Sequence, residues 1–373
     1  MDASEVRRRL RDRALELGFD RVAFVAAGPA RDAARLDTWL ADGLHADLHW
    51  MARAPEVRAD PRRLLPGARS VVSLLTFYHT TPAPPDDRWV GRVSRYAWGR
   101  DYHRVLERRL RKLVRFAGEL APGARTLPGV DYRPILEKEW AERAGIGWIG
   151  KHTNLITQDA GSWFFLSELV TELDVAEPEV EPKERCGRCT ACLEACPTGA
   201  IVAPFRVDAR RCISWLTIEN RGPIPAELRP LVGEWIFGCD ICQDVCPWNR
   251  FAKPVDDPAF ALDRRRFDSD LTDFLTLDRA AFEARFEGSP VRRAGRDGFL
   301  RNVCVALGNR RRPTDLGPLL GALADASPLV RAHAAWAIGR LGGDDAIDAL
   351  EARRAVETDP AVALEIERAI DAA

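Results

Sequence analysis

Eight of the nine cysteines in this chain of 373 residues lie between Cys186 and Cys246, and their spacing constrains the fold more than any other feature. The stretch CGRCTACLEACPTGA, residues 186 to 200, sets Cys186, Cys189, Cys192 and Cys196 in the pattern C-x2-C-x2-C-x3-C-P. Three thiolates on that beat wrap one iron–sulfur cube, and the fourth, carried away at the proline, reaches a second cube. A second run, CDICQDVCP, supplies Cys239, Cys242 and Cys246 before Pro247, one member short of the first. Cys212, in ARRCISWL, provides the missing thiolate. The crossing pattern assigns Cys186, Cys189, Cys192 and Cys246 to one 4Fe-4S cluster, and Cys196, Cys212, Cys239 and Cys242 to the other. It requires the two segments to pack side by side, close enough for single electrons to hop between clusters.

Other readings of these cysteines fit less well. A disulfide framework suits a short secreted chain. Here the first residues, MDASEVRRRLRDRALELGFD, read as an amphipathic helix rather than a signal peptide. Zinc sites need one C-x2-C pair separated from another, and zinc is the alternative that spacing leaves open. The longest strongly apolar run, SVVSLLTF, is far short of the roughly 18 residues of a membrane span. A cytoplasmic, reducing, non-membrane setting and a monomer are expected. Clusters that only staple the fold are the structural alternative to a relay.

The formal charge is -1, from 55 basic and 56 acidic residues, so the whole molecule has no electrostatic bias toward a partner. The length allows two or three domains. Helical periodicity at residues 5 to 18 and 31 to 42 alternates with strands at 21 to 27 and 69 to 77. Asp101 caps a helix whose apolar face is Val105, Leu106, Leu110, Leu113, Val114 and Ala117. The fold class is α+β: an N-terminal α/β domain (1–172), a linker rich in acid and proline (173–185), a bacterial two-cluster ferredoxin-like module (186–250), and C-terminal all-α HEAT-like repeats (251–373). The repeats rest on LRNVCVALG and VRAHAAWAIG, which recur about 31 residues apart. Cys304, among apolar neighbours in the first of these, reads as a buried core thiol.

Between Val291 and Arg312 stand Arg292, Arg293, Arg296, Arg301, Arg310, Arg311 and Arg312 against a single Asp297. A solvated repeat edge is one reading. A phosphate-contacting face for a structured RNA is the other. There is no G-x-G-x-x-G after a strand and no G-x4-G-K-S/T, so nucleotide-cofactor chemistry lacks support. The glycine-rich GIGWIGKHTN around Lys151 matches neither. DYHRVL resembles the D-x-H-x-x-G run in which histidine becomes the lower axial ligand of cobalamin, but Leu106 stands where the glycine belongs. His103 reads equally as a cap or polar-contact residue.

The stretches RADPRRLLPGARSVV, SRYAWGRDYH, GVDYRPILEKEWAERAGIGWIGKHTNLI and GSWFFLSELV, with the cysteine runs and the repeats, cover about residues 45 to 340. Together they resemble the epoxyqueuosine reductase family, which performs the last step of queuosine formation at the wobble position of certain tRNAs. The resemblance implies a base-off cobalamin in the N-terminal domain, without His103 as lower ligand, in a plan shared with reductive dehalogenases. It implies a tRNA bearing epoxyqueuosine at position 34 as substrate, an electron donor not identified by sequence, and Asp131, in VDYRP, as the acid that protonates the departing oxygen. A poorly solvated pocket is expected to raise the pKa of Asp131. Arg58, Ser94, Tyr96 and Asn154, in the other resembling stretches, are expected with Asp131 to line the cofactor.

Two rival functions remain at this point: reductive dehalogenation of a small organohalide, and electron carriage without catalysis. The cluster assignment is directly measurable. Anaerobic reconstitution should load about eight irons through the eight cysteines. Cys304→Ser should leave iron content unchanged, and loss of Cys196 should remove mainly the second cluster. Stoichiometric zinc without sulfide would contradict the assignment.

Overall fold

The computed structural model describes residues 1–80, 91–181 and 183–372; Pro182 of the linker and Ala373 lie outside them. The N-terminal domain is built on strands β1 (Arg21–Ala26), β2 (Ser70–Phe77), β3 (Thr126–Gly129) and β4 (Phe164–Thr171). They form one sheet in the order β1-β2-β4-β3, every pair antiparallel. SVVSLLTF is largely apolar because β2 is central and covered on both faces. Val72 and Leu74 point to one face with Phe24 and Leu169, against helices α1 (Ala3–Glu16) and α2 (Tyr102–Leu120). Val71, with Val25 and Val170, points to the other, against Trp140 of helix α3 (Glu137–Arg143). The period of two thus buries a strand in a sheet sandwiched by helices.

Asp101 caps α2 as expected, its carboxylate accepting the His103 backbone N–H at 3.1 Å. Leu106, Leu110, Leu113 and Ala117 are buried on one face of that helix. Its basic face is not all solvated: Arg109 pairs with Asp257 at 2.6 Å and donates to the Gly18 carbonyl.

The segment 173–185 is not a free linker. Val175 is buried, the Glu177 N–H donates to the Phe24 carbonyl beside β1, and Glu177 pairs with Arg11 at 3.0 Å. The cluster segment is tied in equally firmly. Its strand Trp235–Phe237 runs parallel to Arg92–Val93 of the N-terminal domain, and Ile236 and Phe237 share a core with Val93, Trp98 and the C-terminal helices. The three regions read from sequence therefore share one interior.

The C-terminal region stacks helices α4 (Gly295–Arg310), α5 (Leu316–Leu323), α6 (Pro328–Leu341), α7 (Asp344–Arg354) and α8 (Pro360–Asp371). The glycines closing the two similar motifs have a packing cause. A Cβ at Gly308 would stand 2.9 Å from Ala337 Cα, and one at Gly339 would stand 2.6 Å from the Ala369 carbonyl. Each repeat presents a backbone so close to the next helix that only hydrogen fits. Cys304 is fully buried, as its neighbours predicted.

The seven arginines do not form one face, which corrects the sequence reading. Arg301 is wholly buried and donates to the carbonyls of Leu216, Asn220 and Gly222 in the cluster segment. Arg310 is clasped by Asp315 at 2.6 Å, and Arg296 by Asp325. These three are structural, because a guanidinium that satisfies buried acceptors cannot also turn to a phosphate. Arg292, Arg293, Arg311 and Arg312 are exposed. Arg292 pairs with Glu283 and Arg293 with Glu219.

Arg301→Met should therefore destabilise the protein by at least about 3 kcal/mol, since three buried carbonyls lose their donors at about 1–3 kcal/mol each. Arg312→Ala should change stability by no more than about 0.5 kcal/mol. Urea midpoints of the two holoproteins compare them directly.

Candidate active site

Strand β3 lies at the sheet edge, and where it ends the chain turns sharply into α3. Asp131 sits in that turn with φ 60°, a left-handed conformation that costs a non-glycine residue energy and persists only when neighbours hold it. Its backbone N–H donates to Glu137 Oε1 at 2.7 Å. The Tyr102 hydroxyl donates to Asp131 Oδ2 at 2.7 Å, and His103 Nε2 lies 3.7 Å from the same oxygen. Tyr102 is itself stacked on Phe165, ring centroids 4.3 Å apart, and on His103 at 4.0 Å. His103 Nδ1 faces Asp101 Oδ1 at 2.8 Å. The capped first turn of α2 thus aims two polar side chains at one carboxylate.

The electrostatics differ from the expectation of a raised Asp131 pKa. The crowded cleft pushes the carboxyl up, but the hydrogen bonds from His103 and Tyr102 outweigh it, and the net pKa lies below the ordinary 3.8. The proton is held elsewhere. Burial depresses His103, but its bonds to Asp101 and Asp131 overcome that and raise it to about 9. Burial, and then the charge of Asp131, push Glu137 up to about 8. Glu168, on β4, is fully buried, and its carboxyl oxygens have no hydrogen-bond partner among the described residues. Burial and the nearby Glu137 hold its pKa well above 4.5. At neutral pH the site therefore favours protonated His103 and Glu137 beside an ionised Asp131, with Glu168 shifted in the same direction as Glu137.

Asp131, Glu137, Lys138, Asn154 and Gln243 line a cavity of about 190 Å³ with the rings of Tyr78, Tyr102, Phe164 and Phe165. Asn154 is thus brought to Asp131 as expected. Arg58 is buried, donates to the Trp50 carbonyl at 2.8 Å, leaves Nε without a partner, and feels the charges of Glu137 and Asp131. Ser94 is placed differently: its hydroxyl donates to Asp240, beside Cys239, so it braces the cysteine loop rather than lining the cleft. Tyr96 stands behind Tyr102, the rings 6.1 Å apart and nearly perpendicular. Tyr102, Glu137, Lys138, Glu168 and Gln243 were missed from sequence. Glu168 carried a signal, an acid inside the apolar strand FFLSELV, where an ionised side chain has no favourable fate.

The two cysteine segments pack side by side, through the one-turn helices Ala191–Ala195 and Ile241–Asp244. Cys186, Cys189, Cys192 and Cys246 line one cavity of about 210 Å³. Burial, and next the neighbouring Cys186, push the Cys192 thiol up to about 11. Cys242 is also raised well above the ordinary thiol value, by burial and then by Cys212, Cys239, Cys192 and Cys196 in turn. Among the described residues no three His, Cys, Asp or Glu side chains gather closely enough to hold a single metal ion. The sulfurs of the first group surround a void rather than a point, which suits a multi-atom cluster. Gln243, next to Cys242, reaches into the Asp131 cleft, where its amide donates to the Ser162 carbonyl at 3.0 Å.

Three family profiles match the chain: a 4Fe-4S double cluster binding domain at residues 185–249, "Epoxyqueuosine reductase QueG, DUF1730" at 58–132, and HEAT repeats at 293–371. The epoxyqueuosine reductase of Xanthomonas campestris pv. campestris is 44% identical over 353 residues, covering 91% of this chain and 98% of its own. The chain belongs to the epoxyqueuosine reductase family. The Escherichia coli K12 member is 40% identical over 349 residues, covering 91% of this chain and 90% of its own. Among solved structures, an epoxyqueuosine reductase with an epoxyqueuosine-modified tRNA-Tyr stem loop superposes with TM-score 0.93 at 32% identity, covering 100% of this chain and 99% of that one. The Bacillus subtilis enzyme, with its catalytic aspartate loop swung out of the active site, gives TM-score 0.92 at 32% identity and full coverage of both chains.

The raised pKa values set a pH dependence of folding. His103, raised from 6.5 to about 9, contributes stability that is complete below about 6.5 and lost as pH rises through about 9. Glu137, raised from 4.5 to about 8, favours the folded state below about 4.5, and that contribution is lost as pH rises through about 8. The thermal midpoint should fall steadily from pH 6.5 to 9. His103→Gln should flatten the upper part of that fall, and Glu137→Gln the lower.

Proposed function

We propose that Asp131 delivers the proton that lets the epoxide oxygen of epoxyqueuosine leave, and that the eight cysteines between Cys186 and Cys246 hold the two clusters that supply the electrons. The chain is an oxidoreductase of tRNA modification: it reduces epoxyqueuosine in tRNA to queuosine with cobalamin and two 4Fe-4S clusters. The observation that carries the residue-level reading is the meeting of two chemistries in one cleft. A carboxylate ringed by stored protons shares that cleft with Gln243, the residue after Cys242.

The cleft's donor set fits cobalamin. A conjugated ring with amide arms suits aromatic walls and the amides of Asn154 and Gln243. When bound, the cofactor would supply a strongly reducing cobalt. The reaction takes up two electrons and two protons, breaks both carbon–oxygen bonds of the epoxide, and leaves an alkene and water. Asp131 hands a proton to the oxygen; Tyr102 fixes the carboxylate's direction, and His103, protonated at neutral pH, reloads it. Filling the cleft expels the water that helps keep Asp131 ionised, which moves the shared proton from His103 toward the carboxyl.

Arg293 supports an RNA substrate. It stacks over the exposed Trp50 at 5.2 Å and lies near enough to Asp131 for their charges to interact. A cation and an open aromatic face beside the reacting group suit a nucleotide's phosphate and base. Organohalide reduction has no use for either. Arg292, Arg311 and Arg312 remain candidates for phosphate contact farther along the repeats. Among the described residues no helix is long and apolar enough to cross a membrane. We place the enzyme in the cytoplasm, where tRNA and reduced thiols coexist.

Asp131→Asn keeps the shape of the side chain and removes its transferable proton. With pre-reduced enzyme, alkene formation on epoxyqueuosine tRNA should slow by about 100-fold or more while cluster and cobalamin spectra persist. A rate within a few-fold of the unaltered enzyme would remove Asp131 from the role.

A further inference from the structure

The two cysteine groups differ in what lies outside them. Cys242 faces inward: Gln243, the next residue, lines the Asp131 cleft together with Tyr78 and Lys138. Cys189, in the other group, is exposed to solvent. The strand Leu155–Ile156 separates the two sides, Leu155 lining the cleft and Ile156 the cavity of Cys186, Cys189, Cys192 and Cys246. Electrons bound for the cleft therefore enter most directly at Cys189 and leave near Cys242.

The entry side is basic. Arg185, Arg250 and Lys151 line the cysteine cavity with no carboxylate among the lining residues, and Arg188 is exposed between Cys186 and Cys189. Lys151 is committed, its ammonium donating to the Gly187 and Cys189 carbonyls at 2.6 and 2.9 Å. Arg185, Arg188 and Arg250 form no ion pair with a described residue. Arg250 instead covers Phe251, which is 38% exposed, at 4.6 Å. Two carboxylates stand nearby, and both are occupied locally: Glu184 accepts the Cys186 N–H, and Glu194 the Thr190 hydroxyl. In a chain of net charge -1, three unpaired arginines around an apolar ring at a redox entry point mark a docking face.

We infer that Arg185, Arg188, Arg250 and Phe251 form the docking site for an acidic one-electron carrier protein of the flavodoxin or ferredoxin class. The inference rests on the cluster assignment given above. In each encounter the reduced carrier gives up one electron and is oxidised by one unit, and the cluster ligated by Cys186, Cys189, Cys192 and Cys246 gains it. No bond or proton moves, and two encounters supply one turnover. A weak, electrostatically steered complex suits a carrier that must leave after each electron. The face lies across the Leu155–Ile156 strand from the cleft, so carrier and RNA do not compete for one surface.

The test uses reconstituted holoenzyme and the combined variant Arg185→Glu, Arg188→Glu, Arg250→Glu. Stopped-flow bleaching of the cluster absorption, under excess reduced flavodoxin, gives the second-order rate. It should fall at least about tenfold in the variant, and only the unaltered enzyme's rate should drop steeply with salt. Reduction by a small uncharged photoreductant, and affinity for an epoxyqueuosine-modified RNA stem loop, should not change. Unchanged carrier kinetics would overturn the inference, as would a matching loss of RNA affinity, which would assign the face to nucleic acid. Arg250→Gln alone, with a smaller expected fall of a few-fold, and the salt dependence of the unaltered enzyme serve if the triple variant does not assemble. Absent iron and sulfide would instead count against the cluster assignment itself.

Discussion

Two neighbouring side chains on α4, Arg301 and Asn302, hold the cluster segment in place. Arg301 donates to the carbonyls of Leu216, Asn220 and Gly222, and Asn302 to those of Thr217 and Ile236. The cluster segment closes only a small core, of Ile213, Leu216, Ile224, Leu228, Val232 and Trp235, and it does so against Val305 of α4. Its carbonyls would be left buried without donors if the repeat helices did not supply them. The C-terminal region is thus a support for the cluster segment.

That dependence explains what could be read from the sequence. Cysteine spacing is dictated by the geometry of a cube, so Cys186 to Cys246 were legible as two interleaved sets, and the structure packs the two segments side by side. Strand β2, helix α2 with its Asp101 cap, and the glycine-ended repeats were legible because each obeys a local period or cap rule. The arginine run was misread because charge alone does not say whether a guanidinium meets water or a carbonyl. Arg301 has the same local signature as Arg312, and only tertiary contacts separate them. In the cleft, Asp131 and Asn154 came from family resemblance. Tyr102, Glu137 and Gln243 converge on them from three separate segments, a proximity that no single stretch of sequence encodes.

The proton inventory of the cleft follows from the same convergence. A lone aspartate at a turn would stay ionised and empty of protons at neutral pH. Here the backbone conformation of Asp131 is held by Glu137 and its carboxylate by Tyr102, with His103 Nε2 3.7 Å away. The left-handed φ of 60° makes this arrangement conditional, because the turn relaxes once those partners let go. In the Bacillus subtilis relative the catalytic aspartate loop stands swung out of the active site, so such a turn has two accessible positions in that protein.

Keeping electrons and protons on separate approaches has a chemical purpose. A strongly reducing centre that could take protons freely from water would lose its electrons to them instead of to the epoxide. The structure sets the exposed Cys189 and its arginines on one side of the Leu155–Ile156 strand, and Asp131, Glu137 and Lys138 on the other. Gln243, the residue after Cys242, borders the cleft with Asn154 and Asp131. Under the proposed function, a substrate that displaces bulk water from the cleft limits this loss, so proton and electron are spent together only when substrate is bound.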